Sequence, residues 1–222
     1  MGQGDWELLL HSIVPMLLGT VTGTIPLAVI SFAIGLVIAL LVALARLSSV
    51  PVLARLAQFY VSVIRGTPLL VQLYLIVYAL PSLGVVIDPF PSAVVAFSLN
   101  VGGYAAETIR AAILAVPRGQ WEAASTVGMG YSLTLRRVVL PQALRVAVPP
   151  LSNTFISLVK DTSLASSVMV TELLRKAQEI AAPSFAFLQL YTLAALIYWL
   201  VCTVLSVAQQ RLERRLGRYT TV

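Results

Sequence analysis

Charge is what this sequence has least of. Asp, Glu, Lys and Arg make up 11% of its 222 residues, against about 25% in a soluble domain. Hydrophobic residues reach 59% and mean hydropathy is +0.91, which leaves too little polar side chain to cover a soluble core. A cytosolic enzyme and a nucleic-acid-binding module are thereby excluded, despite the formal charge of +6. Histidine occurs once, His11, and cysteine once, Cys202 inside an apolar run, so no intrachain disulfide framework and no metal site is expected. Gly-x-x-x-x-Gly-Lys-Ser/Thr, His-Glu-x-x-His and Gly-x-Ser-x-Gly are all absent. The chain therefore lacks a phosphate loop of its own, and it lacks the metal and base of an intramembrane protease. Its start carries Asp5 and Glu7 where a cleavable signal peptide needs positive charge, so the first apolar run is expected to stay.

What the chain has is long stretches without charge. Residues 8–45, 66–87 and 89–106 contain no Asp, Glu, Lys or Arg; 146–171 contains only Lys160 and Asp161; 180–210 is again uncharged. Since a spanning helix needs about 20 apolar residues, these predict an all-α integral membrane protein of about five transmembrane helices. The second helix is expected to start near Leu56, before Arg65, with Gly66 loosening the turn and Pro68 unable to donate to the helix ladder, so that Gly66-Thr67-Pro68 offers free backbone amides; the third is expected to continue to about Leu114. Arginines mark one side: Arg46 and Arg55 in the first loop, Arg118, Arg136, Arg137 and Arg145 in the third, and Arg211, Arg214, Arg215 and Arg218 in the tail. By the positive-inside rule that side is cytoplasmic, with the N-terminus outside and the C-terminus inside. On the outer side Glu172, Arg175, Lys176 and Glu179 nearly cancel within a loop of residues 171–183. No repeat or linker divides the chain, so residues 1–222 read as one domain. A self-contained secondary transporter fits poorly without an inverted repeat.

The loop of residues 115–145 is long for a connector. Gln120 to Val127 reads as a short amphipathic helix, broken by Gly128 and Gly130, and a helical pattern resumes from Leu133 until Pro141. Here Glu122-Ala123-Ala124 is followed at fixed offsets by Gly128, Val138 and Leu140-Pro141. The pattern resembles the EAA loop of the membrane subunits of bacterial ABC importers, with Val138 where Ile is usual. Arg65-Gly66-Thr67-Pro68-Leu69, Tyr104-Ala105-Ala106-Glu107-Thr108 and Lys160-Asp161-Thr162-Ser163-Leu164 look like the polar amino-acid permease branch. Leu80-Pro81, Asp88-Pro89, Gln120-Trp121 and Pro149-Pro150-Leu151-Ser152-Asn153 are most similar to L-cystine permeases.

The resemblance implies a type I importer permease in the bacterial cytoplasmic (inner) membrane. Its expected partners are a cytoplasmic ABC ATPase dimer, an extracytoplasmic amino-acid-binding protein, membrane lipid and a second permease subunit, a homodimer being favoured. ATP and Mg would be used by the partner ATPase, and this chain would bind no cofactor. Glu122, Ala123, Ala124, Gly128, Arg136, Leu140 and Pro141 would couple the loop to the ATPase. The plain alternative makes Glu122 a solvated helix-start residue and the arginines topology signals only.

Ionisable groups at bilayer depth cost about 2.5–3.5 kcal/mol each on insertion scales, so they point to pairing or function. Asn153, Ser157, Lys160 and Asp161 share helical spacing, as do Asn100, Gly103, Tyr104, Glu107 and Ala111, and Thr67, Val71, Tyr74 and Tyr78. For an amino-acid substrate, Asp161 would accept from the ammonium while Thr67, Asn100 and Ser157 donate, with Lys160 alongside. Alternatively Lys160 and Asp161 anchor neighbouring spans. Glu107 and Arg110 are expected to form an intrahelical ion pair.

Overall fold

The computed structural model describes residues 3–217, with side chains described for 6–215. Asp5 and Arg218, which contributed to the topology argument, lie outside the described side chains. All regular structure among the described residues is helical.

The chain opens with α1 (Gln3–Gly19), passes one π turn at Thr20–Thr24 and continues as α2 (Ile25–Leu47). α3 (Pro51–Gly66) and α4 (Leu69–Tyr74) follow, the latter extended by a π turn and a short 3-10 turn. α5 (Pro89–Leu114) leads into α6 (Arg118–Thr126) and α7 (Tyr131–Thr134), which runs through another π turn into α8 (Leu140–Asp161). A 3-10 segment, α9 (Leu173–Ser184) and α10 (Phe187–Gly217) complete the chain. Among the described residues, Trp6–Leu47 and Phe187–Arg215 are each long and apolar enough to cross a membrane. α3 and the α4 segment make a third span if counted as one bent unit.

Three expectations need correction. The second apolar stretch is not one helix loosened at a turn: α3 and the Leu69–Leu83 segment meet at 105°, because Pro68 cannot donate and forces Thr67 to extended angles of φ −122° and ψ 145°. The helical pattern resuming at Leu133 does not stop at Pro141, since α8 begins at Leu140 and carries Pro141 in its first turn, where a missing N–H costs nothing. The 171–183 loop is largely α9, capped by Glu172, whose carboxylate accepts from the amides of Leu174 and Arg175.

α5 lies at the centre. Apolar lipid supplies no solvophobic drive between helices, so association rests on close packing of small residues. The α2–α5 seam follows that rule, with Ala28, Ala39, Ala96, Ala105 and Ala106 fully buried and Gly102 seated under Ile38 and Tyr60. A second cluster joins α1, α9 and α10 around Met16, Leu173, Ala177 and Leu190. At its centre Glu172 is fully buried and also accepts from Tyr198 Oη at 2.6 Å. Thr24 Oγ1 accepts from the Leu173 amide at 3.2 Å, which ties the π turn to the same node.

A Cβ on Gly23 would stand 2.2 Å from the Thr171 carbonyl, while one on Gly66 would meet nothing within 4 Å. Gly23→Ala is therefore expected to destabilise the purified protein by about 1–3 kcal/mol, and Gly66→Ala to leave its melting temperature unchanged. Glu172→Gln should also lower that temperature. Both carboxylate oxygens accept backbone N–H bonds, so either amide orientation sets donor against donor, a loss of about 1–3 kcal/mol. Equal melting temperatures for Glu172→Gln and the parent would refute this.

Candidate translocation site

The break between α3 and α4 is built residue by residue. Helical geometry would pair the Ile64 carbonyl with the amide of residue 68, which is proline; Gln72 Nε2 donates to it instead at 2.9 Å. The same amide donates to the Thr67 carbonyl at 3.2 Å and to Thr67 Oγ1 at 2.9 Å. Thr67 Oγ1 in turn donates to the Val63 carbonyl at 2.8 Å, replacing its own amide, which has left the helix. Asn100 Nδ2 on α5 donates to Gln72 Oε1 at 3.1 Å. Side chains thus answer the Val63, Ile64 and Thr67 carbonyls at the bend, in keeping with the cost of unpaired backbone groups in an apolar solvent.

Beside this break lies a cavity of about 450 Å³ lined by the Thr67-Pro68-Leu69 turn, by Asn100, Val101 and Tyr104 of α5, and by Asn153, Thr154, Ser157, Leu158 and Asp161 of α8. Thr67, Asn100, Ser157 and Asp161, on three separate stretches of sequence, are thus brought together. Lys160 is not: it is exposed and absent from the lining, because the neighbouring position on a helix points about 100° away. Val71, Tyr74 and Tyr78 also stay outside the lining, Tyr74 and Tyr78 meeting edge to face at 5.5 Å. Gly103 serves packing, directly beneath Ile64.

Two glutamines were not anticipated. Besides Gln72, Gln209 of α10 donates to Asn153 Oδ1 at 2.9 Å and to Glu213 Oε1 at 2.8 Å, orienting an amide that lines the cavity. The signal for Gln72 was in the sequence, a polar amide one turn beyond a proline; nothing local indicated Gln209. Below the cavity, Glu107 pairs with Arg110 as expected and also with Arg46 of α2, so one carboxylate joins two helices.

In the loop, α6 presents Glu122 and Ala123 to solvent and buries Ala124. Gly128 ends the turn at φ +79°, with its amide donating to the Ser125 carbonyl at 3.0 Å and the Met129 amide to that of Ala124 at 3.0 Å. A Cβ there meets nothing within 4 Å, so glycine is favoured by backbone angle and not by crowding. Trp121 stacks on Tyr131 at 5.5 Å, and Gln142 Nε2 of α8 donates to Gln120 Oε1 at 3.2 Å. Those contacts fix α6 against the root of α8. Arg136 and Pro141 are exposed, while Leu140 packs against the core.

Residues 35–218 match the family of binding-protein-dependent transport system inner membrane components. The chain is 58% identical to the L-cystine transport system permease protein TcyB of Bacillus subtilis (strain 168), over 96% of this chain and 92% of that protein. It is 40% identical to the glutamine transport system permease protein GlnP of Escherichia coli (strain K12), over 96% and 98%. A crystal structure of an amino acid ABC transporter with histidines superposes with a TM-score of 0.85 at 36% identity, covering 90% of this chain and 94% of that one. The inward-facing MetNI methionine ABC transporter shares the fold, with a TM-score of 0.71 at 21% identity over 97% and 99%. A helical bundle around a polar cavity, without any motif for ATP hydrolysis, agrees with these likenesses: the chain belongs to the binding-protein-dependent transport system inner membrane components and is a permease subunit of an ABC transporter, with the ATPase on a separate subunit.

Proposed function

We propose that this chain imports L-cystine as one of two identical membrane subunits. The observation that carries the reading is the convergence of Thr67, Asn100, Ser157 and Asp161 on one cavity in a chain 58% identical to a named L-cystine permease. Asp161, the acidic member of that lining, accepts from the substrate ammonium. Thr67, Asn100 and Ser157 supply neutral hydrogen bonds to the carboxylate. The cavity is walled by the Thr67-Pro68-Leu69 turn, α5 and α8, and a second copy provides its facing wall.

The topology that fits has about five crossings: the α1–α2 rod, the bent α3–α4 pair, α5, α8 and α10. The N-terminus lies outside and the C-terminus in the cytoplasm, since the arginine-rich turns gather on one side. On that side α6 seats on the ATPase dimer as a coupling helix, with Glu122 favouring its N-terminal dipole and Arg136 meeting acidic protein or anionic lipid. ATP and Mg act on the ATPase, and this chain holds no cofactor. Closure of the ATPase passes through α6, the Trp121–Tyr131 stack and the Gln120–Gln142 bond to α8, which carries half of the cavity wall. Glutamine remains the competing substrate, because a glutamine permease is 40% identical over almost the whole chain.

Reconstitution with the ATPase, the cognate binding protein and a panel of amino acids tests the substrate. Cystine-stimulated ATP hydrolysis and uptake are expected, and stimulation by glutamine alone would replace the reading. In the same vesicles Asp161→Asn should raise the concentration for half-maximal uptake about tenfold, as loss of a charged hydrogen-bond partner implies, with expression and melting temperature retained. Lys160→Gln should leave that concentration unchanged. A loss of yield and thermal stability with unaltered concentration dependence would make Asp161 a structural anchor.

The coupling role of the loop predicts that Glu122→Lys inserts normally but loses substrate-stimulated ATP hydrolysis. Gly128→Asn should retain it while Gly128→Val loses it, because asparagine tolerates left-handed angles and a β-branched residue does not. Equal activity of the two Gly128 variants would show that the angle is not what the loop needs.

A further inference from the structure

We propose that the apolar cleft between α2, α8 and α10 binds an anionic phospholipid, with acyl chain held along α8 and the headgroup phosphate met by Arg211 and Arg215.

α2 and α8 meet at Phe32 and Phe155, whose ring centroids lie 5.1 Å apart. Between that pair and the loop end of α8 lies an apolar cavity of about 420 Å³. α8 lines it with Leu144, Val148, Leu151 and Phe155, and α10 with Leu205, Ala208 and Leu212, each set at the spacing of one helix face. Two polar side chains of the lining spend their donors inside the protein. Ser152 Oγ donates to the Val148 carbonyl at 2.9 Å, and Gln209 Nε2 to Asn153 Oδ1 at 2.9 Å. The cleft therefore asks for an apolar occupant. At its loop end Leu144 and Leu212 are 56% and 44% exposed, so the cleft is open there. A second apolar cavity, of about 190 Å³, shares Leu36, Leu144 and Leu151 with the first and reaches Ile109 and Ala112 of α5.

Dimensions choose the occupant. From Leu144 to Ile156 α8 rises about 18 Å, and the hydrocarbon of one leaflet is about 15 Å deep. Spread over that length, the volume leaves a section of roughly a few tens of Å², whereas a helix about 10–12 Å across needs about 80 Å² or more. An extended acyl chain satisfies both measures, and the adjoining cavity has room for part of a second. Charge chooses the headgroup. Arg215 follows Leu212 by three residues and Ala208 by seven, so it stands one turn beyond the cleft on the same face of α10, and Arg211, three beyond Ala208, flanks it. Both are exposed and in no ion pair among the described residues. Glu213 beside them accepts from Gln209 at 2.8 Å, and with Arg214 the rim stays positive. Guanidinium groups match phosphate oxygens bidentately, and basic clusters at the cytoplasmic end of a spanning helix attract anionic headgroups. The leaflet follows from the topology proposed above; the site itself stands on the cleft and its arginines. Another face of α8 carries Asn153, Ser157 and Asp161 of the polar cavity, so a filled cleft braces that wall from behind.

The test is native mass spectrometry of the purified permease–ATPase complex, delipidated and titrated with phosphatidylglycerol or with phosphatidylcholine of the same acyl chains. Phosphatidylglycerol should bind about tenfold more tightly than phosphatidylcholine. Ala208→Trp, which fills the cleft, and Arg211→Gln with Arg215→Gln, which removes the headgroup contacts, should each weaken phosphatidylglycerol about tenfold. Val207→Trp, at a neighbouring position outside the lining, should stay within about twofold of the parent. The arginine double variant should keep the parent's melting temperature, so it decides the matter even where Ala208→Trp fails to fold. Equal affinity for the two lipids would overturn the proposal, and so would unchanged phosphatidylglycerol binding in the arginine double variant. A folded Ala208→Trp that binds like the parent while the arginine variant is weakened would show adsorption at the surface and remove the cleft from the site. Separation of the two permease subunits by Ala208→Trp would assign the cleft to a second copy of this chain and overturn the lipid.

Discussion

A helix that breaks in an apolar solvent leaves carbonyl groups without water to receive them, and at Gly66-Thr67-Pro68 that demand falls on two side chains, Gln72 and Thr67. The Gln72 amide donates to the Ile64 and Thr67 carbonyls and to the Thr67 hydroxyl, so the bend of 105° costs no orphaned acceptor at Ile64. Without the bend, α4 would continue the line of α3 and close the space in front of α5. Because it turns away, Thr67 and Pro68 become a wall of the cavity. The bond from Asn100 to Gln72 then fixes that wall to the central helix.

Around this break the molecule divides its work between two kinds of packing. The α2–α5–α8 core relies on alanine and glycine surfaces that bring backbones close, as lipid-embedded helices must. The outer α1–α9–α10 cluster is pinned by a buried carboxylate, Glu172, which accepts two backbone amides and a tyrosine hydroxyl. The long α1–π turn–α2 rod connects them. The loop helix α6 is attached to the core mainly through Trp121, Gln120 and the chain into α8. Those contacts join α6 directly to the helix that carries Asn153, Ser157 and Asp161.

Much was legible in the sequence because the bilayer is a demanding solvent. Five long stretches poor in charge fixed an all-helical membrane architecture, and the EAA pattern at its offsets marked the family and the loop. Polar residues at helical spacing singled out Thr67, Asn100, Ser157 and Asp161, which line one cavity, together with Lys160, Val71, Tyr74 and Tyr78, which do not. Gly128 was singled out from spacing, but the reason for it, a left-handed backbone angle in open space, is visible only in three dimensions.

Tertiary structure decided the rest. Lys160 and Asp161 are adjacent in sequence and equally conspicuous there, yet only Asp161 lines the cavity; helix rotation against neighbours chooses between them, and no local pattern records it. Glu172 looked like one charge among four that cancel, whereas it is a buried cap whose partners, Thr24 and Tyr198, come from distant helices. Glu107 was read as serving its own helix and also holds Arg46 of α2. Sequence determined which segments enter the membrane, because the cost of burying charge and free backbone groups acts on every residue separately. Which polar groups meet inside was settled by packing, because that depends on how the helices turn toward one another.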